Sequence, residues 1–161
     1  MARIARVVAA GIPHHITQRG NPRQLTFFCE DDYREYISLM AEWCFQYATE
    51  VSAYCLMANH VHLVVVPETE DALRKGIGEA LRGYTRRVNF REGWRGHLWQ
   101  GRFYSTILDE VHAYAALRYV EKNPVRAGMV QKAEEYWWSS AREHVKESSD
   151  GILSKRSGSP P

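Results

Sequence analysis

A chain of 161 residues is long enough for one domain and too short for two comfortable ones. Hydrophobic residues at 45% and charged residues at 25% exclude disordered and collagen-like classes. The formal net charge of +2 is small, but the charge is unevenly spread.

Residues 1–23 carry Arg3, Arg6, Arg19 and Arg23 and no acid. Residues 30–50 are acidic, a local −5. Residues 74–102 hold Arg74, Lys75, Arg82, Arg86, Arg87, Arg91, Arg95 and Arg102 against Glu79 and Glu92, a local +6. Sixteen of the 21 basic residues are arginine, whose planar fork binds phosphate bidentately. Segregated charge of this kind fits a polyanion partner, and it fits solvated helix faces equally well. Apolar runs such as Leu63 to Val66 fall far short of the roughly 20 residues of a membrane helix, so no membrane partner is expected. The N-terminus lacks an apolar stretch long enough for a signal peptide. Cys29, Cys44 and Cys55 are odd in number and lack CxxC spacing, which predicts a reducing cytoplasm and neither a disulfide framework nor a thiolate zinc site.

Residues 12–19 read as a strand closed by Gly20-Asn21-Pro22. Asp32 with Glu35 predicts a capping box, opening a helix with an apolar stripe of Tyr33, Tyr36, Ile37, Met40, Cys44 and Tyr47 to about residue 48. Residues 51–57 and 60–66 read as a hairpin turning at Ala58-Asn59 and ended by Pro67. Thr69 is placed to cap the next helix, striped by Leu73, Ile77, Leu81, Tyr84 and Val88. Gly76, Gly78 and Gly83 predict irregularity in it. A loop over 93–101 leads to a fourth strand over 102–108. Asp109 then caps a helix that runs until Asn123-Pro124, because the residue before proline resists the helical region. Residues 148–161 read as a disordered tail, leaving one domain over 1–147. The order βαββαβα describes an α+β fold: a single antiparallel sheet with helices packed mainly on one face.

Two constellations could carry chemistry. His60 and His62 alternate with Val61 on a strand and therefore project from one face. Such a pair can converge on a metal ion or simply hydrogen-bond at a sheet surface. Tyr119 and Asn123 are four apart and share a helix face with His112 and Ala115, opposite an apolar stripe of Ala113, Ala116, Leu117 and Val120. Taken alone, that tyrosine reads as core or amphipathic surface, and an asparagine before proline as a turn former.

Larger matches resolve these alternatives. Leu56-Met-Ala-Asn-His-Val-His-Leu63 resembles the His-hydrophobe-His signature of single-tyrosine HUH transposases. Arg118-Tyr-Val-Glu-Lys-Asn-Pro-Val-Arg-Ala-Gly-Met-Val130 resembles the nucleophile segment of that family's REP-associated branch. Pro13-His-His-Ile-Thr-Gln-Arg-Gly-Asn21, Gly96-His-Leu-Trp-Gln-Gly-Arg-Phe103 and Trp138-Ser-Ser140 are also similar to the family, so the likeness spans roughly residues 11–145 in order. Two departures stand out: Asn123 where the compact insertion-sequence branch has Gln, and Trp137 where Pro is expected.

The resemblance implies a ferredoxin-like, RRM-like fold and cleavage of single-stranded DNA by Tyr119. It implies a 5′-phosphotyrosine intermediate with a free 3′-OH, and Mg²⁺ or Mn²⁺ held by His60, His62 and Asn123. The implied partners are DNA hairpins at element ends or REP palindromes, with monomer and homodimer both open. Arg19, Arg23, Arg82, Arg86, Arg87, Arg95 and Arg102 are the expected phosphate contacts. Trp94, Trp99 or Phe90 are candidates to stack on unpaired bases, whereas Trp43 and Trp138 are expected to pack. The competing reading is a non-catalytic nucleic-acid-binding module of the same fold. A zinc hydrolase is disfavoured because HExxH is absent.

Overall fold

Strand and helix alternate along the chain in the order expected. A computed structural model describes residues 5–21 and 24–146, so Pro22, Arg23 and the predicted tail lie outside the described residues. The elements are β1 (His14–Arg19), α1 (Glu30–Gln46), β2 (Thr49–Met57), β3 (His60–Pro67), α2 (Ala72–Glu92), β4 (Tyr104–Ile107) and α3 (Glu110–Glu121). Two short helices follow, α4 (Asn123–Arg126) and α5 (Ala141–Lys146), with a 3-10 turn at Ala133–Glu135 between them.

The hairpin strands β2 and β3 pair, β1 adds beside β3, and β4 closes the edge, giving the order β2-β3-β1-β4 with every pair antiparallel. This is the ferredoxin-like arrangement. Strand alternation then sorts the side chains. Ile16, Leu56, Val61, Leu63 and Val65 form the main core with Tyr36, Met40 and Cys44 of α1 and Leu73, Ile77, Tyr84 and Val88 of α2. Ala53, Cys55, Met57 and Val64 face the other way and pack on Ala116 and Val120 of α3. The two long helices thus share one face, and α3 crosses the other.

Several local details differ from the sequence expectation, each for a physical reason. Helix α1 begins at Glu30, so Asp32 lies inside its first turn and does not cap it. The Asp32 carboxylate instead reaches back to accept from the Phe28 N–H at 2.9 Å and pairs with Arg91 of α2. Helix α2 starts after Asp71, and Thr69 serves only through its carbonyl, which accepts from the Ala72 N–H at 3.2 Å. The glycines do not break α2. Gly76 lies where a Cβ would sit 3.4 Å from the Trp43 carbonyl, and Gly83 where it would meet Leu39 at the same distance. An added Cβ at either position would make ordinary van der Waals contact with α1, and the apolar stripe of α2 packed in the core outweighs the poor helix propensity of the glycines. Strand β4 is shorter than 102–108 because only Tyr104–Ile107 pairs with β1. The Asp109 cap forms as expected, its carboxylate accepting from the His112 N–H at 2.8 Å.

The Trp138-Ser-Ser140 segment acts as an addition to β2. Leu56 N–H donates to the Trp138 carbonyl, and Ser140 exchanges backbone and side-chain hydrogen bonds with Tyr54. Ser140 Oγ also donates to Glu121 Oε1 at 2.6 Å, and His144 holds the same oxygen. The last turn of α3 is thereby fastened to the sheet, which fixes the helix that carries Tyr119.

Candidate active site

On the α3 side of the sheet, register determines which polar groups meet. Thr17 lies directly across from His62, and Arg19 across from His60. Alternation along β1 puts His15, Thr17 and Arg19 on that same face. His62 is only 3% exposed, and it sits beneath α3 with its ring centre 5.7 Å from that of Tyr119 at an interplanar angle of 85°. His60 meets His62 edge-on at 5.2 Å, and His15 approaches Tyr119 at 6.1 Å. Tyr119 itself is 47% exposed, so its ring lies between the buried His62 and solvent.

The hydrogen bonds define which nitrogen edges are engaged. His60 Nδ1 lies 2.7 Å from Asn59 Oδ1, and His62 Nδ1 lies 3.2 Å from His15 Nε2. Burial pushes the His62 imidazolium down to about 3, helped by the positive charges of Arg19 and Arg126 and by the neighbouring histidines. Burial likewise lowers His15, and burial together with Arg19 lowers His60. All three imidazoles are therefore neutral at pH 7, and a neutral ring has a lone pair to offer an ion.

Arg126, which follows Pro124 in α4, folds back over Tyr119 with its guanidinium carbon 4.0 Å from the ring centre. Arg19 and Arg126 make this a positively charged patch around neutral imidazoles, suited to a phosphate.

The expected pair His60 and His62 and the tyrosine are thus brought together. Asn123 opens α4 on the following turn and is half-buried. Among the described residues no three of His, Cys, Asp and Glu converge as an ion cage. As donor types, two imidazole nitrogens and an amide oxygen would make a mixed N/O set of the kind that Mn²⁺ or Mg²⁺ accepts. His15, Thr17 and Arg126 were not singled out by sequence. The alternation of polar residues on β1 could have revealed the first two, but Arg126 depends on a turn after Pro124 that no periodicity announces.

The expected DNA contacts divide between two regions. Arg19 belongs to the histidine face. Arg82, Arg86 and Arg102 join Arg6, Arg74 and Gln18 around a cleft of about 530 Å³ between α2 and the 96–103 loop. Gln18 points away from Arg19 on β1, so cleft and histidines lie on opposite faces of the sheet. Arg87 pairs with Glu35 at 3.5 Å, and Arg82 with Glu79 at 2.7 Å. Arg95 is exposed in the loop after α2, and Arg23 lies outside the described residues. Trp94 is partly exposed and packs edge-on against Phe28 at 5.5 Å. Trp99 corrects the sequence expectation: at 6% exposure it is a core residue beside Tyr36 and Tyr84, unable to stack on a base. Phe90, by contrast, is 91% exposed. No helix among the described residues is long and apolar enough to cross a membrane.

Comparison with known proteins adds three findings. Residues 10–123 match the transposase family described as IS200-like. A Haemophilus influenzae protein described as a REP-associated tyrosine transposase is 26% identical over 130 residues, covering 74% of either chain. The solved structure of a REP-associated tyrosine transposase bound to a REP hairpin superposes with a TM-score of 0.69 at 17% identity, covering 99% of this chain and 94% of that one, a likeness of fold.

Proposed function

The chain belongs to the IS200-like transposase family, and from that premise we propose that it nicks and rejoins single-stranded DNA with Tyr119 as nucleophile, acting on hairpin or REP-type DNA. The observation that carries this reading is the half-exposed Tyr119 ring set over His62, beside His15 and beneath Arg126. A structural tyrosine has no need of neutral imidazoles below it and a guanidinium above it.

In this reaction Tyr119 Oη attacks the scissile phosphorus. A bond from phosphorus to the phenolic oxygen forms, the bond to the 3′ oxygen breaks, and the phenolic proton is replaced while the departing 3′ oxygen gains one. The 5′-phosphotyrosine conserves the energy of the phosphodiester, so rejoining reverses the same steps without ATP. A divalent cation, Mg²⁺ or Mn²⁺, held by His60, His62 and Asn123 would polarise the phosphate and stabilise the charge growing on it. Arg19 and Arg126 draw the phosphate towards the tyrosine. The buried sheet and α3 hold Tyr119 at one position, which favours attack over diffusion.

The arginine cleft supplies the grip. Because it lies across the sheet from Tyr119, a substrate must reach both faces, as a hairpin with a single-stranded arm does. That the structural relative is bound to a REP hairpin supports this choice of DNA.

The test is a denaturing gel of end-labelled hairpin DNA with Mn²⁺ present. A protein-linked band that maps to residue 119 and vanishes in Tyr119→Phe is the expected result, with hairpin binding retained. A band that persists in the phenylalanine variant moves the nucleophile elsewhere. No band with any hairpin favours a non-catalytic nucleic-acid-binding module.

A further inference from the structure

His15 has no part in the reaction described above, yet it is half-buried against His62. The two ring centres are 5.4 Å apart with planes within 21°, while His15 Nε2 and His62 Nδ1 are separated by 3.2 Å. Rings so nearly parallel, with nitrogens that close, meet edge to edge through a hydrogen bond.

A neutral imidazole has one N–H and one lone pair, and the partner of one nitrogen decides which the other becomes. If His62 Nδ1 donates to His15, then His62 Nε2 is left with a bare lone pair. If His15 donates instead, His62 carries its hydrogen on Nε2 and offers a cation nothing there. His60 indicates the sense. Its Nδ1 faces the Asn59 Oδ1 at 2.7 Å, an acceptor, so Nδ1 carries the hydrogen and Nε2 is bare. Two imidazoles on one strand, each held at Nδ1, would then present matching Nε2 lone pairs.

We propose that His15 is a positioning residue for metal binding, accepting the Nδ1–H of His62 and so fixing the tautomer that presents the His62 Nε2 lone pair to a divalent cation. The inference rests on the assignment of His60 and His62 as ligands. His15 is not itself a ligand, since its Nε2 is engaged by His62 and no three such residues converge among those described. Thr17 Oγ1, 3.5 Å from the same His62 nitrogen, is at the limit of a hydrogen bond and a weak substitute. Loss of such an outer partner lowers metal affinity about 10–100-fold in well-studied sites.

The experiment uses the full chain and Mn²⁺ alone, with affinity read by calorimetry and by the electron paramagnetic resonance signal of free Mn²⁺. His15→Leu should weaken binding about 10–100-fold. His15→Gln, whose Oε1 can accept the same N–H, should recover most of it. Nitrogen NMR of the metal-free wild type should show His62 as the Nδ1–H tautomer, shifting to Nε2–H in the leucine variant. If His62→Ala binds Mn²⁺ as tightly as wild type, the ligand assignment fails and this inference with it. If His62→Ala loses binding while His15→Leu does not, the inference about His15 alone is overturned. An Nε2–H tautomer of His62 in the wild type overturns it too, and that measurement needs no variant to fold.

Discussion

Arg126 covers the ring of Tyr119 and donates from Nη2 to the Tyr119 backbone carbonyl. That carbonyl is among the last four of α3, which have no partner within the helix. Arg126, from the turn that follows, supplies a side-chain donor to that carbonyl and so helps complete the helix end. One residue thus ties off α3 and holds the proposed nucleophile.

Arg126→Gln should therefore lower stability by about 1 kcal/mol, from a cation–π contact and a charge-assisted hydrogen bond at an exposed site. Urea denaturation should show a lower midpoint at unchanged slope. Adduct formation on hairpin DNA should slow more than hairpin binding weakens. An unchanged midpoint would mean that the guanidinium does not hold this position in solution.

The basic cleft leads to a second expectation. Affinity for hairpin DNA should fall with salt, with a log–log slope of about −0.7 to −0.9 for each phosphate neutralised. The arginines are not equivalent in this respect. Arg87 is already engaged by Glu35 and Arg82 by Glu79, whereas Arg86 lines the cleft and has no ion pair among the described residues. Arg86→Ala should weaken binding to all sequences and flatten the salt slope by nearly one phosphate, and Arg87→Ala should do less. Fluorescence anisotropy across a salt series measures both, and equal effects would show that the surface ion pairs are too weak to matter.

The alternation of the β2–β3 hairpin, the helical stripe of α1 and the Asp109 cap were legible because each is a local pattern with a fixed period or offset. His60, His62 and Tyr119 stood out only through the family resemblance, because spacing alone left the histidine pair open and read the tyrosine as core or surface. What sequence did not show depends on contacts distant along the chain. Asp32 meets Arg91 across 59 residues, and His15 meets His62 across 47. Trp99 looked like an exposed loop residue, yet a bridge from Gly20 draws it into the core. The glycines of α2 signalled a weak helix because propensity is local, whereas their neighbours Trp43 and Leu39 belong to α1.

Glycine substitutions at two other positions should have opposite effects. Around Gly78 a Cβ would meet nothing within 4 Å, and Gly78→Ala should stabilise α2 by about 0.5–1 kcal/mol through helix propensity. Gly20→Ala should do the opposite. Its Cβ would fall 2.4 Å from Thr26 Cγ2, a buried side chain, and 3.3 Å from the Asn59 carbonyl. Such overpacking costs typically about 1–3 kcal/mol, and relief would displace Asn59, the partner of His60. Thermal unfolding of both variants decides the matter. A destabilised Gly78→Ala would show that α2 needs flexibility there.

The pair formed by Asp32 and Arg91 makes stability depend on pH in a definite sense. Burial opposes ionisation of Asp32, and it is the largest single influence. The Arg91 guanidinium, the Phe28 N–H and Cys29 together outweigh it and hold the carboxyl below the usual carboxylate range. A carboxyl whose folded value is depressed contributes stability that is fully present above its unfolded value, about 3.9, and is lost as pH falls through the folded value. The advantage of wild type over Asp32→Asn should therefore be constant from pH 7 to about 5 and shrink below about pH 4. Arg91→Ala should behave in the reverse sense. The Asp32 side chain is 2% exposed, so removing the guanidinium leaves a buried charge, at a cost of about 3 kcal/mol at neutral pH. Burial would then raise that carboxyl, and protonation would relieve the penalty as the pH drops. Denaturation midpoints of the three proteins between pH 3.5 and pH 7 would measure this. The Arg91→Ala deficit should narrow towards acid, and a deficit that stays constant would mean that Asp32 keeps its charge without Arg91.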